Sequence, residues 1–258
     1  MFGWLKNMMG GAREPAPPPI PQEPLTQADL IRALKRHCAP LLFCKPATID
    51  PFATMFGAVR LERKGEVWPS CEGAPLWPVL QVNLREAPVI PEALRDLSLL
   101  TLFVAPDHTI PPTRMIDTGQ PDPMATWAIR SYSTLQALTI PKAPKHGSNL
   151  RPQLGEWAPA VIDCANDDVA EQVIDTAAND LPDYERCETL AQTKLGGWPA
   201  TSGAVPWWDR EPTGDTWDFV LQIGNEPNAG WQGWGGGIAF IARSRERPHI
   251  WAIDVQVS

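Results

Sequence analysis

The residues of this chain that could do chemistry are few and widely spaced. Cys164 and His249 could form a thiol–imidazole pair of the kind used for nucleophilic attack, but they lie in separate apolar segments. Cys164 follows Val161-Ile162, so we read it as a buried structural cysteine and His249 as an edge residue. Asp163 with Asp167 and Asp168 could hold a metal, yet three acids around a helix start also make a solvated cap. Gly235-Gly-Gly237 precedes the apolar run Ile238–Ile241. It therefore lacks the helix N-terminus of a phosphate site and reads as close packing beside tryptophan. Trp207-Trp208 and Trp231 with Trp234 could stack a ring, although aromatic core packing is the commoner use. GxSxG, HExxH, P-loop and strand-to-helix GxGxxG signatures do not occur. The sequence reads as a non-enzyme with no cofactor and no metal.

Net charge is −8, which argues against general affinity for nucleic acid phosphates. Residues 1–154 carry a net of +3 and residues 155–258 a net of −11. Ten acids fall between Glu156 and Glu188 against the single Arg186. A field of this kind speeds encounter with a basic partner. Five cysteines, odd in number and without metal-ligand spacing, suggest neither a zinc site nor a disulfide framework. With no signal peptide recognised, a reduced, cytoplasmic protein is expected.

The elements that must position these residues repeat along the chain. Gly214–Ile223 contains Phe219-Val-Leu-Gln-Ile223, and Gly73–Val82 contains Val79-Leu-Gln-Val82. In both, glycine precedes the glutamine by eight residues. Gly57 and Gly197 lie 140 apart, Trp68 and Trp208 140, Gln81 and Gln222 141, and Trp127 and Trp251 124. Landmarks in one order predict duplication of a unit of about 65–80 residues. A glutamine inside an apolar strand must have its amide hydrogen-bonded if buried. A crevice between the repeats with Gln81 and Gln222 as matched polar groups is the alternative: a ligand site or an enzyme of unknown reaction.

The expected fold is α+β: two tandem related subdomains of short antiparallel strands with a few helices, after a Pro-rich tail. Residues 1–24 form an apolar start and a polyproline tether, 25–154 the first repeat and 155–258 the second. Met1–Met9 reads as a frayed terminus in preference to an interfacial helix, so membrane-surface contact is the lesser reading. Thr26 caps a helix that Pro40 ends. Strands are expected near Ala58–Leu61, around Gln81 and Gln222, at Leu99–Val104, Trp127–Ser131 and Ile250–Val257, with a short helix from Pro91. An acidic helix over about 168–181 buries Val169, Val173, Ile174 and Ala177.

Lys194-Leu-Gly-Gly-Trp-Pro199, Trp208, Gly214, Phe219-Val-Leu-Gln-Ile223 and Trp234-Gly-Gly-Gly-Ile-Ala-Phe240 resemble the YwqG-like family of bacterial proteins. Phe56-Gly57, Trp68-Pro69, Gly73 and Val79-Leu-Gln-Val82 look like a weaker first copy, with Ala58 where a second glycine is usual. The resemblance covers residues 46–258 and implies an α+β fold of two related subdomains. It supplies no catalytic residues. Its association with secreted toxins implies an immunity role for some members. Together these point to a non-catalytic binding protein, an immunity protein or antitoxin that docks on a basic toxin or effector. The candidate contacts are Asp167, Asp168, Glu171, Asp175, Asp180, Asp183 and Glu185, with Trp207 and Trp231 as anchors.

Overall fold

The computed structural model describes residues 27–106, 113–120, 122–142, 148–166, 169–170 and 189–257. It is built mainly of antiparallel strands. They run β1 (Lys35–Pro46), β2 (Met55–Phe56), β3 (Glu62–Arg63), β4 (Ser70–Cys71), β5 (Ala74–Pro75), β6 (Trp77–Asn83), β7 (Leu99–Val104) and β8 (Met115–Asp117). Then come β9 (Trp127–Tyr132), β10 (Leu138–Thr139), β11 (Gln153–Trp157), β12 (Val161–Cys164), β13 (Lys194–Gly196), β14 (Trp217–Ile223), β15 (Ile238–Ser244) and β16 (Ile250–Gln256). Helix is scarce among the described residues: α1 (Gln27–Ala33), α2 (Trp207–Arg210) and short 3-10 turns, one at Glu92–Leu94 just after Pro91. Among the described residues the architecture is thus mostly β, and the α+β expectation is met only in part. Proline density explains the brevity of the elements, since each proline removes a ladder donor.

Twelve strands form one sheet in the order β8-β16-β15-β14-β13-β1-β11-β2-β6-β7-β9, with β12 also on β1. Two four-stranded antiparallel blocks, β13 to β16 and β2-β6-β7-β9, flank the central pair β1 and β11. The central pair crosses over: β1 from the first half pairs with β13 of the second, and β11 pairs with β2 of the first. The boundary drawn at residue 154 falls inside β11, so the sheet runs through it without a break.

Pro40 does not end the first helix, which stops at Ala33; it lies inside β1 opposite Lys194. Its carbonyl accepts from the amide of Ala158, in the gap between β11 and β12. The missing proline N–H points into that same gap, where no strand needs it. The strand expected at Ala58–Leu61 is interrupted, with β2 ending at Phe56 and β3 starting at Glu62. Gly57 (φ +73°) turns the chain there, and the amide of Arg60 donates to the Gln81 side chain in place of a neighbouring strand.

One apolar core runs through both halves, from Val79, Leu102 and Trp127 to Val220, Ile241 and Trp251. Phe43 of β1 meets Phe56 of β2 edge-on at 5.1 Å, and Phe56 in turn lies 6.0 Å from Trp231. Alternate burial cannot show in these strands, because most of their residues are covered on both faces. Among the described residues no helix is long and apolar enough to cross a membrane.

Candidate functional site

The repeated glutamines are structural. Gln81 is fully buried; its Nε2 donates to the carbonyls of Pro51 (2.9 Å) and Ala53 (2.8 Å), and its Oε1 accepts from the Arg60 amide (2.8 Å). Gln222, equally buried, donates to Leu190 and Gln192 (2.8 Å each) and accepts from Ala200 (2.9 Å). Beside them Thr54 accepts from the Asn83 amide and donates to Glu86, while Thr193 accepts from the Gly224 amide and donates to Glu226. β6 bulges between Pro78 and Leu80, and β14 between Phe219 and Leu221. Both amides are therefore spent on backbone groups and offer nothing to a ligand in a crevice. Gly57 and Gly197 both have positive φ, but the glycine following Leu195 as Gly57 follows Phe56 is Gly196 (φ +72°). Trp68 donates to the Leu76 carbonyl, and Trp208 is buried beside Trp207.

The chemistry-bearing residues of the second half are also spent. Asp163 is fully buried and accepts from Lys194 Nζ (2.7 Å), the Trp198 amide (2.7 Å) and the Leu190 amide (3.0 Å). Burial lowers the Lys194 pKa against the opposing pull of Asp163. Cys38 lies within their field, and burial pushes its thiol up to about 11, so it is an inert thiol rather than a nucleophile. Cys164 is disulfide-bonded, which corrects the expectation of a free buried thiol without a disulfide. Among the described residues no group of three metal ligands occurs.

Trp207 and Trp231 are corrected as well. Their exposures are 3% and 1%, and Trp207 Nε1 donates to the Ile253 carbonyl (2.8 Å). Each is held in an aromatic cluster, so neither presents a face to a partner. Asp167, Asp168, Glu171, Asp175, Asp180, Asp183 and Glu185 lie outside the described residues, as does all of the expected acidic helix except Val169 and Ala170, which are buried. The Pro-rich tether and Met1–Met9 lie outside them too.

Sequence reasoning missed the place where the sheet fails to close. Its terminal strands, β8 and β9, approach each other at one end only. There the Thr113 amide donates to Thr126 Oγ1 (2.9 Å), and Trp127 Nε1 donates to the Thr113 carbonyl. Farther on the edges part, and a cavity of about 600 Å³ opens between them. Trp68, Leu76, Ile116 and Ala128 give it apolar walls, with Arg63, Arg130, Glu66, Asp117 and Asp122 as charges. Its size falls within the range of about 300–1,000 Å³ that ligand sites occupy.

Register fixes which backbone groups face this groove. The Ala105 amide donates to the Thr126 carbonyl (2.7 Å), so Thr126, Ala128, Arg130 and Tyr132 direct their backbone groups at β7. Trp127, Ile129 and Ser131 direct theirs outward. On β8, bonds from Thr118 to His249 and from Ile253 to Arg114 leave Met115 and Asp117 facing out. Among the described residues no strand covers the outer edge of β9.

The electrostatics of the groove centre on Arg130. Its guanidinium donates to the Val67 carbonyl, lies 5.2 Å above the Phe103 ring, and stands 3.8 Å from Glu62 and 3.6 Å from Glu66. Tyr132 Oη donates to Glu66 (2.7 Å), and burial together with that bond raises the tyrosine pKa. Burial also raises the Glu62 pKa, against the opposing charge of Arg130. Val67 (84% exposed), Met124 (57%) and Met115 (43%) leave large apolar side chains in water beside it. The one sequence signal for this site is Arg130 standing inside the apolar strand Trp127–Tyr132; Glu62, Glu66 and Val67 lie more than sixty residues away.

No protein-family model and no curated protein matches this chain, so the likeness to the YwqG-like family rests on the motif residues alone.

Proposed function

We propose that the chain is a non-catalytic binding protein that takes up a protein partner in the groove between β8 and β9. The observation that carries this reading is that, among the described residues, no strand pairs with the outer edge of β9, which lies beside exposed Val67, Met115 and Met124. Unpaired edges and apolar surface are what protein partners cover. The resemblance supports the immunity kind of binding, with a toxin or effector as the partner. The acidic segment 167–185 remains a proposed steering element for a basic partner. A non-catalytic role is supported by the structural use of Asp163, Lys194, Gln81 and Gln222. A cytoplasmic location goes with that role.

We read the architecture as an internal duplication whose first strands are exchanged between the copies. Its support is the matched hydrogen bonding of Gln81 and Gln222, the matched bulges and the equivalent strand order of the two blocks.

Photo-cross-linkers placed at Val67 and, as control, at the remote Ile49 (95% exposed) test the binding reading in the source cell. One discrete adduct from Val67 and none from Ile49 is expected. Indistinguishable adducts from both positions, or none from Val67, overturn it.

A further inference from the structure

Two strand edges, those of β8 and β9, border the groove beside its side-chain walls. From the Thr113–Thr126 pinch, β8 and β9 lead away in the same direction, each with backbone donors and acceptors turned toward the space between. A row of alternating N–H and C=O groups is best met by another backbone, since a compact small molecule cannot match its repeat.

Charge narrows the guest further. Arg130 donates to the Val67 carbonyl, and its charge is offset by Glu62 at 3.8 Å and Glu66 at 3.6 Å. Among the described residues, the side chains of Asp117 and Asp122 are held by their own turns, through the amides of Gly119 (2.7 Å) and Met124 (2.9 Å). The field of Arg247 reaches Asp117 and offsets part of its charge. Arg63 brings one positive charge to the same lining, so Asp117 and Asp122 are acids within a mixed field, while Val67, Trp68 and Pro69 form an apolar bank.

Resting on the protein-binding reading above, we infer that the guest is an extended protein segment that adds to β9 as a new strand. It hydrogen-bonds to Ser131 and, once the groove is occupied, to Ile129, whereas Trp127 is fully buried at the pinched end. Side chains on one face of the guest are apolar and meet Val67, Trp68 and Pro69. A lysine or arginine among them meets Asp117 and Asp122. The added strand fills the gap between β8 and β9.

An octapeptide of alternating lysine and valine, capped at both ends, is the probe, titrated into the isotope-labelled full chain. Amide exchange at Ile129 and Ser131 slows at least tenfold, and exchange at Ala128 and Arg130 changes little. Methylating alternate backbone nitrogens of the probe, or replacing its lysines with glutamates, weakens binding at least tenfold. Ser131→Pro removes an outward donor without touching a β7 bond, and it weakens binding to the same degree while Ser131→Ala does not.

Strand addition is overturned if the probe binds without slowing Ile129 and Ser131. It is equally overturned if the glutamate probe binds as well, or if those amides are already slow in the free chain. A discrete Val67 adduct in cells, with no binding of the probe, sinks strand addition and leaves the protein-binding reading standing. Failure of the Val67 adduct sinks that reading itself.

Discussion

Gln81 and Gln222 occupy matched places in two strand blocks and make the same three hydrogen bonds, two donated to carbonyls and one accepted from an amide. Each ties the strand it belongs to onto a loop that would otherwise have no ladder partner. The loops are those carrying Pro51–Ala53 and Leu190–Gln192. The glutamines thus set the shape of the sheet rather than a ligand site.

Replacing either glutamine by leucine keeps the apolar volume and strands three backbone groups. Gln222→Leu is expected to cost about 3 kcal/mol, since each buried unmet group costs about 1–3 kcal/mol and part of the loop can relax toward water. Urea denaturation of wild type and variant measures it. A loss below about 1 kcal/mol would show that the Leu190–Gln192 loop does not depend on this bond.

Gly197 and Gly65 separate packing from backbone strain. Both have positive φ, +75° and +87°. A Cβ on Gly197 would stand 2.2 Å from Asp163 Oδ2 and 2.9 Å from Cys38 Cβ, whereas a Cβ on Gly65 meets nothing within 4 Å. Gly65→Ala therefore carries only the left-handed backbone cost of about 1–2 kcal/mol. Gly197→Ala adds overpacking of about 1–3 kcal/mol and disturbs the Asp163–Lys194 pair. Thermal unfolding should rank them in that order.

Glu226 gives stability a pH dependence of known sign. Burial pushes its carboxyl up from 4.5 to about 7, with the bond from Thr193 opposing. The folded chain then holds a proton that the unfolded chain releases, so stability falls as pH rises from about 4.5 through 7. Asp209, raised to about 6 by burial, slopes the same way. The difference between wild type and Glu226→Gln isolates the first group. The variant should lose part of the decline in urea midpoint between pH 5 and pH 8 (about the span of the shift); parallel curves would refute the assignment.

Trp207→Ala tests whether this tryptophan belongs to the core. Its ring packs at 5.8 Å from Trp208 and 6.3 Å from Trp217, and its Nε1–H is satisfied by the Ile253 carbonyl. A cost of about 3–5 kcal/mol is expected. Near-wild-type stability with lost partner capture would restore it as a surface anchor.

Much of the strand layout is legible in local pattern. Leu99–Val104, Trp127–Ser131 and Ile250–Val257 read as strands because they are β-prone apolar runs, and strands form at Leu99–Val104, Trp127–Tyr132 and Ile250–Gln256. Pro40 reads as a helix end but lies inside β1, because a proline's effect depends on whether a neighbouring strand needs its missing donor.

By itself the sequence determined the paired glutamine strands, their order and spacing, and the need for their amides to be satisfied. It did so because a polar residue within an apolar run carries its own requirement for partners. Only the tertiary structure decided that β1 and β11 cross between the halves and that β8 and β9 end the sheet apart. It also decided that Arg130 meets Glu62 and Glu66, and that Trp207 and Trp231 lie inside. Those outcomes depend on which edges and faces remain once every strand has found its neighbours, and no stretch of chain encodes that remainder locally.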